Sequence, residues 1–294
     1  MRKNILMTGA TGFLGSNIIK KLITENYNVI ALKRSFSNTY RIDDIADNIK
    51  FYNIDQITLK DIFTENKIDI IIHCATNYGR RDIEPLSLMQ ANLTMPLQLL
   101  EMGKKTRASC FINTDTILDK RVSYYSLSKN QFREWLELYA KEMICVNVAL
   151  EHFYGPYDDN TKFVSYIIDS ILNNSEKIDL TEGNQERDFI YIDDVVYAFI
   201  TIIKNIEKFK KGFLRYEIGT GESIKLKNFV KLVKSIAQNN DTILNFGVIP
   251  YRENEIMSSK ANITEICKLK WKPQFTLEEG LLQTISMEKD KIKK

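Results

Sequence analysis

Histidine and cysteine are scarce in this chain of 294 residues, with two of the first and four of the second. Two histidines, His73 and His152, are too few to build a histidine-based metal site, so no metal is expected. The cysteines show no metal or disulfide spacing. Cys74 and Cys110 border apolar runs, Cys145 lies inside one, and Cys267 is far from all three. They read as buried, reduced thiols. A net charge of +3 is too small to point to nucleic acid as a partner. The terminal lysines Lys289, Lys291, Lys293 and Lys294 read as a solvated tail. No apolar run reaches the length needed to cross a membrane, so no membrane partner is expected. Met1-Arg2-Lys3 followed by apolar residues imitates the start of a signal peptide, but Gly9, Gly12 and Gly15 interrupt the segment early. The expectation is a cytoplasmic protein. Repeats and low-complexity linkers are also missing.

What is present is an ordinary globular composition, 44% hydrophobic and 27% charged. The length permits one large domain or two modest ones. Apolar runs rich in Val and Ile stand at Asn4–Thr8, Asn28–Leu32, Ile49–Ile54, Asp69–Cys74, Ser109–Asn113 and Ile144–Leu150. Helical patterns separate most of them, at Ser16–Thr24, Leu59–Glu65, Leu86–Lys104 and Ser126–Glu142. Continuous apolar runs suit strands covered on both faces, which predicts a parallel, doubly wound α/β sheet. From Gly155 the rhythm changes to mixed helices, turns and short strands. A further run at Leu214–Ile218 reads as a last strand of the first sheet. The predicted second region is therefore interleaved with the first. The expected domains are 1–152 with 186–220, and 153–185 with 221–294.

The first strand runs straight into Thr8-Gly-Ala-Thr-Gly-Phe-Leu-Gly15, followed by a helical pattern. Gly9 permits the tight turn, Gly12 lets backbone approach a pyrophosphate, and Gly15 lets the helix sit close to the sheet. The helix N-terminus then offers N–H groups and partial positive charge to phosphates. This predicts a dinucleotide site, with Thr11, Phe13 and Leu14 in the same loop.

Tyr125-Ser-Leu-Ser-Lys129 opens a predicted helix, and a spacing of four puts Tyr125 and Lys129 on one face. An ammonium beside a phenol favours the phenolate and suits proton transfer. With the nucleotide fold before it, this pair makes the chain resemble the extended short-chain dehydrogenase/reductase family of nucleotide-sugar epimerases, dehydratases and reductases. The resemblance spans nearly the whole chain and implies a Rossmann nucleotide domain with a smaller, interleaved substrate domain. It is carried also by Phe153-Tyr-Gly-Pro156, by Arg187-Asp-Phe-Ile-Tyr-Ile-Asp-Asp-Val195 and by Tyr216-Glu-Ile-Gly-Thr-Gly221.

The resemblance implies roles. Asp55 matches an acid that contacts adenine, Cys74 and Ala75 follow His73 where backbone lines the cofactor, and Asn92 matches a helix asparagine of such enzymes. The third catalytic residue falls on Thr116 or Thr114 of Phe111-Ile-Asn-Thr-Asp-Thr116, with Thr116 the better fit. Family dehydratases carry Thr-Asp-Glu there. Neither alignment supplies the glutamate here, which disfavours dehydration. Thr76, His152, Arg187 and Arg252 fall at substrate positions, the two arginines suiting a diphosphate. Glu151-His152 departs from the asparagine common before the Tyr-Gly-Pro run. Together with Leu32–Thr39 and Arg252–Met257, the segment Leu150–Pro156 resembles the subset that makes CDP-3,6-dideoxyhexoses, such as CDP-abequose and CDP-paratose synthases.

After the second strand, Lys33-Arg34-Ser35 replaces the acid that usually accepts from an NAD ribose. Two cations and a hydroxyl suit a 2′-phosphate. The expectation is thus NADP(H) in preference to NAD, and an NADPH-dependent 4-ketoreductase of a CDP- or dTDP-linked sugar. The rivals are an NAD-dependent 4-epimerase and a catalytically silent dinucleotide-binding protein. The helices at Leu86–Lys104 and Ser126–Glu142 correspond to those that pair across family dimers. Phe132, Trp135, Leu136 and Leu138 offer apolar surface for a homodimer.

Overall fold

The computed structural model describes residues 2–79 and 84–292. Strand β1 (Asn4–Thr8) enters the glycine loop and helix α1 (Phe13–Thr24). There follow β2 (Asn28–Lys33), β3 (Ile49–Asn53), α2 (Leu59–Glu65) and β4 (Ile70–His73). Next come α3 (Pro85–Met89), a π-turn at Gln90–Thr94, α4 (Met95–Thr106), β5 (Cys110–Thr116), α5 (Tyr124–Tyr139) and β6 (Ile144–Leu150). The chain then passes through β7 (His152–Tyr154), α6 (Phe163–Leu172), β8 (Lys177–Leu180), β9 (Glu186–Arg187) and β10 (Phe189–Tyr191). It continues along α7 (Ile192–Asn205) and β11 (Gly212–Ile218), and ends with β12 (Ile224–Lys225), α8 (Leu226–Ala237), β13 (Ile243–Phe246), α9 (Thr264–Cys267) and α10 (Leu277–Ile292).

The chain divides into two compact units, residues 1–149 with 196–216, and 150–195 with 217–294. The segment 186–195 belongs to the second unit and not, as the motif order predicts, to the first. The first unit holds a seven-stranded sheet in the order β11-β6-β5-β4-β1-β2-β3. β1 pairs in parallel with both β2 and β4, so the strand order reverses at its carboxyl end, where α/β sheets bind ligands. Ile5, Leu6 and Met7 of β1 are wholly buried, which is why the strand reads as a continuous apolar run. Leu99 and Leu100 of α4 and Phe132 and Leu136 of α5 close one face of the sheet against Leu6, Ile71 and Phe111.

The helix predicted over Leu86–Lys104 is present as one continuous run of α3, a π-turn and α4. Pro96 has no N–H to donate to the carbonyl four residues back, so the helical ladder lacks one bond there. Helix α1 begins at Phe13, three residues earlier than the apolar pattern suggests, with Gly12 as its cap. Helix α5 begins at Tyr124 because Ser123 and Ser126 form a reciprocal cap, and it ends at Tyr139 so that Met143 can enter the core. Strand β5 extends three residues beyond the predicted Asn113.

The second unit is built of two-stranded ribbons, β7–β10 and β8–β13 parallel and β9–β12 antiparallel, with α6, α8 and α10 packed on one another. Two acids of the Arg187–Val195 motif act as staples. Asp188 accepts N–H groups from Thr220, Gly221 and Ala261, and Asp194 accepts those of Gln274 and Phe275. Burial pushes both carboxyls above their usual range, although these bonds oppose it. Of the terminal lysines, Lys289 docks its ammonium on the Ala237 carbonyl at 3.1 Å, and is not part of a free tail. Lys293 and Lys294 lie outside the described residues. No described helix is long and apolar enough to cross a membrane.

Candidate active site

The glycine loop meets the end of β4 at the point where the strand order reverses. Gly9 has φ +70°, and a Cβ there would fall 2.5 Å from the Ala75 amide nitrogen. At Gly15 a Cβ would strike the Gly9 carbonyl oxygen at 2.1 Å, so this glycine lets the first turn of α1 close onto the loop. Gly12 is exposed at the helix mouth, Thr11 is half-buried beside it, and the first turn carries no acid. The positive end of α1 is therefore open to an anion. Phe13 and Leu14 bury their side chains, so only their backbone can face a ligand.

Thr8 ties the two loops together. Its hydroxyl accepts from the Ala75 amide at 3.2 Å and bonds His73 Nδ1 at 2.8 Å. Burial holds the His73 imidazole far below its ordinary range, so it is neutral. The Cys74 residue is half-buried, yet its thiol lies in the interior and is pushed up to about 12 by burial. Cys110 and Cys145 are buried as expected, whereas Cys267 is exposed. Among the described residues no cluster suited to a metal ion occurs.

Asn92 is wholly buried in the π-turn and its amide is fully engaged. Its oxygen accepts from the Asn77 amide and the Thr76 hydroxyl, and its nitrogen donates to the Asn77 carbonyl and to Ser128 Oγ. Asn92 is a strut joining α5 to the loop after β4, and Thr76, predicted at the substrate, gives its hydroxyl proton to that strut.

Lys129 is 1% exposed, and its Nζ has no hydrogen-bond partner among the described residues. Burial lowers its pKa and Asp115 opposes the shift. Tyr125, one turn earlier on α5, is half-buried, with its ring 5.1 Å from that of Tyr78. The two threonines of β5 differ. Thr114 donates its hydroxyl to the His73 carbonyl at 3.0 Å, while Thr116 Oγ1 accepts from the Leu118 amide. An unpaired buried ammonium is costly unless a ligand supplies acceptors. With the glycine mouth, it fits a dinucleotide whose ribose hydroxyls would accept from Lys129.

At the end of β2, Lys33 is half-buried and Arg34 is exposed, its guanidinium resting 4.8 Å from the Phe36 ring centroid. Ser35 gives its amide and hydroxyl to Asp55, at 2.8 and 2.5 Å. The hydroxyl bond above all holds the Asp55 carboxyl below its usual range. Both Ser35 donors are thus engaged within the protein, with the Lys33 and Arg34 cations just before it in the chain.

In the second unit Arg187 is buried, donates to the Glu186 carbonyl and pairs with Glu255. Arg252 is exposed in the turn that Glu255 closes by donating its amide to the Arg252 carbonyl. His152 Nδ1 meets the buried Glu151 carboxylate at 2.9 Å, and the second Glu151 oxygen accepts from Ser259. Sequence reasoning gave no role to Tyr78 and Ser259, which lie in no motif, or to Glu255, which lies inside the Arg252–Met257 segment. It also missed Arg133, whose signal was present as the next step of the Tyr125, Lys129 series.

The model of the NAD dependent epimerase/dehydratase family matches residues 5–219. The chain belongs to this family. Within the wider set, it is 36% identical to a CDP-abequose synthase of Salmonella muenchen, covering 98% of each chain. It is 27% identical to a putative UDP-glucose 4-epimerase of Methanocaldococcus jannaschii, over 97% of this chain and 98% of that one. Among solved structures it is similar to the Thermotoga maritima UDP-glucose 4-epimerase with UDP-glucose. The TM-score is 0.85 at 25% identity, covering 98% of this chain and 99% of the other.

Proposed function

We propose that this protein reduces the C4 keto group of a nucleotide-diphosphate deoxysugar with NADPH, in the biosynthesis of a surface-polysaccharide sugar. One observation supports it above the rest: Lys129 is buried with an unpartnered ammonium four residues after Tyr125. That ammonium can bind the ribose of the cofactor and ease proton loss from the Tyr125 hydroxyl. Thr116 keeps its hydroxyl proton available for the sugar carbonyl oxygen, whereas Thr114 has given its own to the sheet. A nicotinamide held there would supply the hydride for C4, and Tyr125 would deliver the proton to the oxygen. Thr116 is followed by Ile117-Leu118, without the acid pair of dehydration. Likeness to the Salmonella muenchen CDP-abequose synthase supports a CDP-linked substrate.

The epimerase relatives support a second reading, reversible 4-epimerisation with retained NAD. NADPH absorbance with CDP- and dTDP-linked 4-keto-6-deoxy sugars separates the two. Stoichiometric loss of NADPH is expected. Interconversion of 4-hydroxy epimers without net cofactor change would overturn the proposal in favour of the epimerase.

A further inference from the structure

Immediately before Thr116, strand β5 buries a carboxylate that the proton-transfer scheme above does not use. Asp115 accepts from Arg133 Nε at 2.7 Å and from Asn147 Nδ2 at 2.8 Å through one oxygen. Its other oxygen accepts from the backbone amide of Thr116 at 2.8 Å. Asn147 is held in turn by Asn113 Nδ2 at 2.8 Å. Asp115 is thus fixed from β5, β6 and α5 together. Arg133 lies four residues beyond Lys129 and eight beyond Tyr125, so the three share one stripe of α5.

Beside Tyr125 on its own helix, four groups among the described residues couple electrostatically to the Lys129 ammonium. Asp115 comes from β5, His73 and Cys74 from the end of β4, and Arg133 from the next turn of α5. Burial keeps His73 and Cys74 neutral. Asn92 and Ser128, where the π-turn meets α5, carry no charge. Glu101 and Lys104 of α4 reach the α5 side only at Tyr139 and Glu142, far along the helix. Asp115 is the anion of this set.

We infer that Asp115 is a positioning residue: it holds Thr116 at the end of β5 and is the counter-charge of the buried Lys129 ammonium, with Arg133 and Asn147 fixing where that charge sits. Removing Asp115 leaves two cations facing each other in the interior, and removing Arg133 leaves the carboxylate to Lys129 alone. The two changes therefore push Lys129 in opposite directions. The coupling is a property of the free protein, while its consequence for turnover rests on the reading proposed above.

The test is the titration of Lys129 in protein labelled with [13Cε]lysine and free of cofactor, the resonance being assigned by its loss in Lys129→Met. Asp115→Asn is expected to lower the midpoint by about one unit or more. Simple loosening of the core would hydrate Lys129 and raise it. Arg133→Met is expected to raise the midpoint, and Arg133→Lys to return it to the parent value. If Asp115→Asn does not fold, the Arg133 pair decides alone. A midpoint unmoved or raised in Asp115→Asn would overturn the inference, as would equal effects of Met and Lys at position 133. Shifts of the expected sign in a protein that reduces no keto sugar would uphold the coupling and remove the proposed reaction instead.

Discussion

Ser35 donates both its amide and its hydroxyl to Asp55, directly after the cations Lys33 and Arg34 in the chain. Arg34→Ala should cost NADPH about 1.5–3 kcal/mol of binding, the worth of a charged hydrogen bond, and leave NADH nearly unchanged. Ser35→Ala should shift the NADPH preference much less. Fluorescence titration of both cofactors against the three proteins checks this. Equal affinities of the parent for the two cofactors would contradict it.

The Arg187–Glu255 pair predicts a separation of stability from affinity. Arg187→Ala leaves a largely buried carboxylate without its partner and should destabilise the second unit by about 1–3 kcal/mol. Removing Glu255 as well should restore most of that stability. Affinity for a nucleoside diphosphate should stay low in both variants, since the cation is gone. Chemical unfolding and calorimetric titration with CDP read the two effects apart.

His73 predicts an acid-side loss of stability. Its folded pKa lies far below the ordinary 6.5, so below that value the unfolded chain binds a proton that the folded one excludes. Stability is full above about pH 6.5 and falls as pH decreases, by about 1.4 kcal/mol per unit for this one proton. Between pH 6.5 and 5, His73→Asn should show a slope smaller by that amount in urea unfolding.

Much of the first unit was legible because its strands are covered on both faces and its glycines are required by backbone contact, at Gly9 and Gly15. What escaped was polar and buried. The last residues of β5, Thr114 to Thr116, look like a loop in sequence because their partners, Asn147, Arg133 and the His73 carbonyl, stand on other segments. Asn92 was legible as a residue of note, but its bonds go to Thr76, Asn77 and Ser128 on other segments, which no periodicity shows. The Arg187–Glu255 pair joins positions 68 residues apart, beyond any local signal.

Two of the four residues predicted at a dimer contact, Phe132 and Leu136, are wholly buried in the core, whereas Trp135 and Leu138 are 43% and 62% exposed. Leu86 on α3 is 80% exposed. If these apolar side chains pair with a second copy, Trp135→Asp with Leu138→Asp should halve the mass seen by light scattering at micromolar concentration. A parent protein already monomeric would contradict the pairing.

Net hydride transfer to C4 with the proton from Tyr125 is tested most directly with NADPH deuterated at the transferred position. With a CDP-linked 4-keto-6-deoxy sugar, mass spectrometry and NMR should find one deuterium at C4 of the product for each NADP⁺ formed. Tyr125→Phe should slow this by about 10²–10⁴, and Tyr124→Phe, altering a residue 58% exposed, should leave it near the parent rate. Product without deuterium at C4, or equal rates for Tyr125→Phe and the parent, would contradict the account.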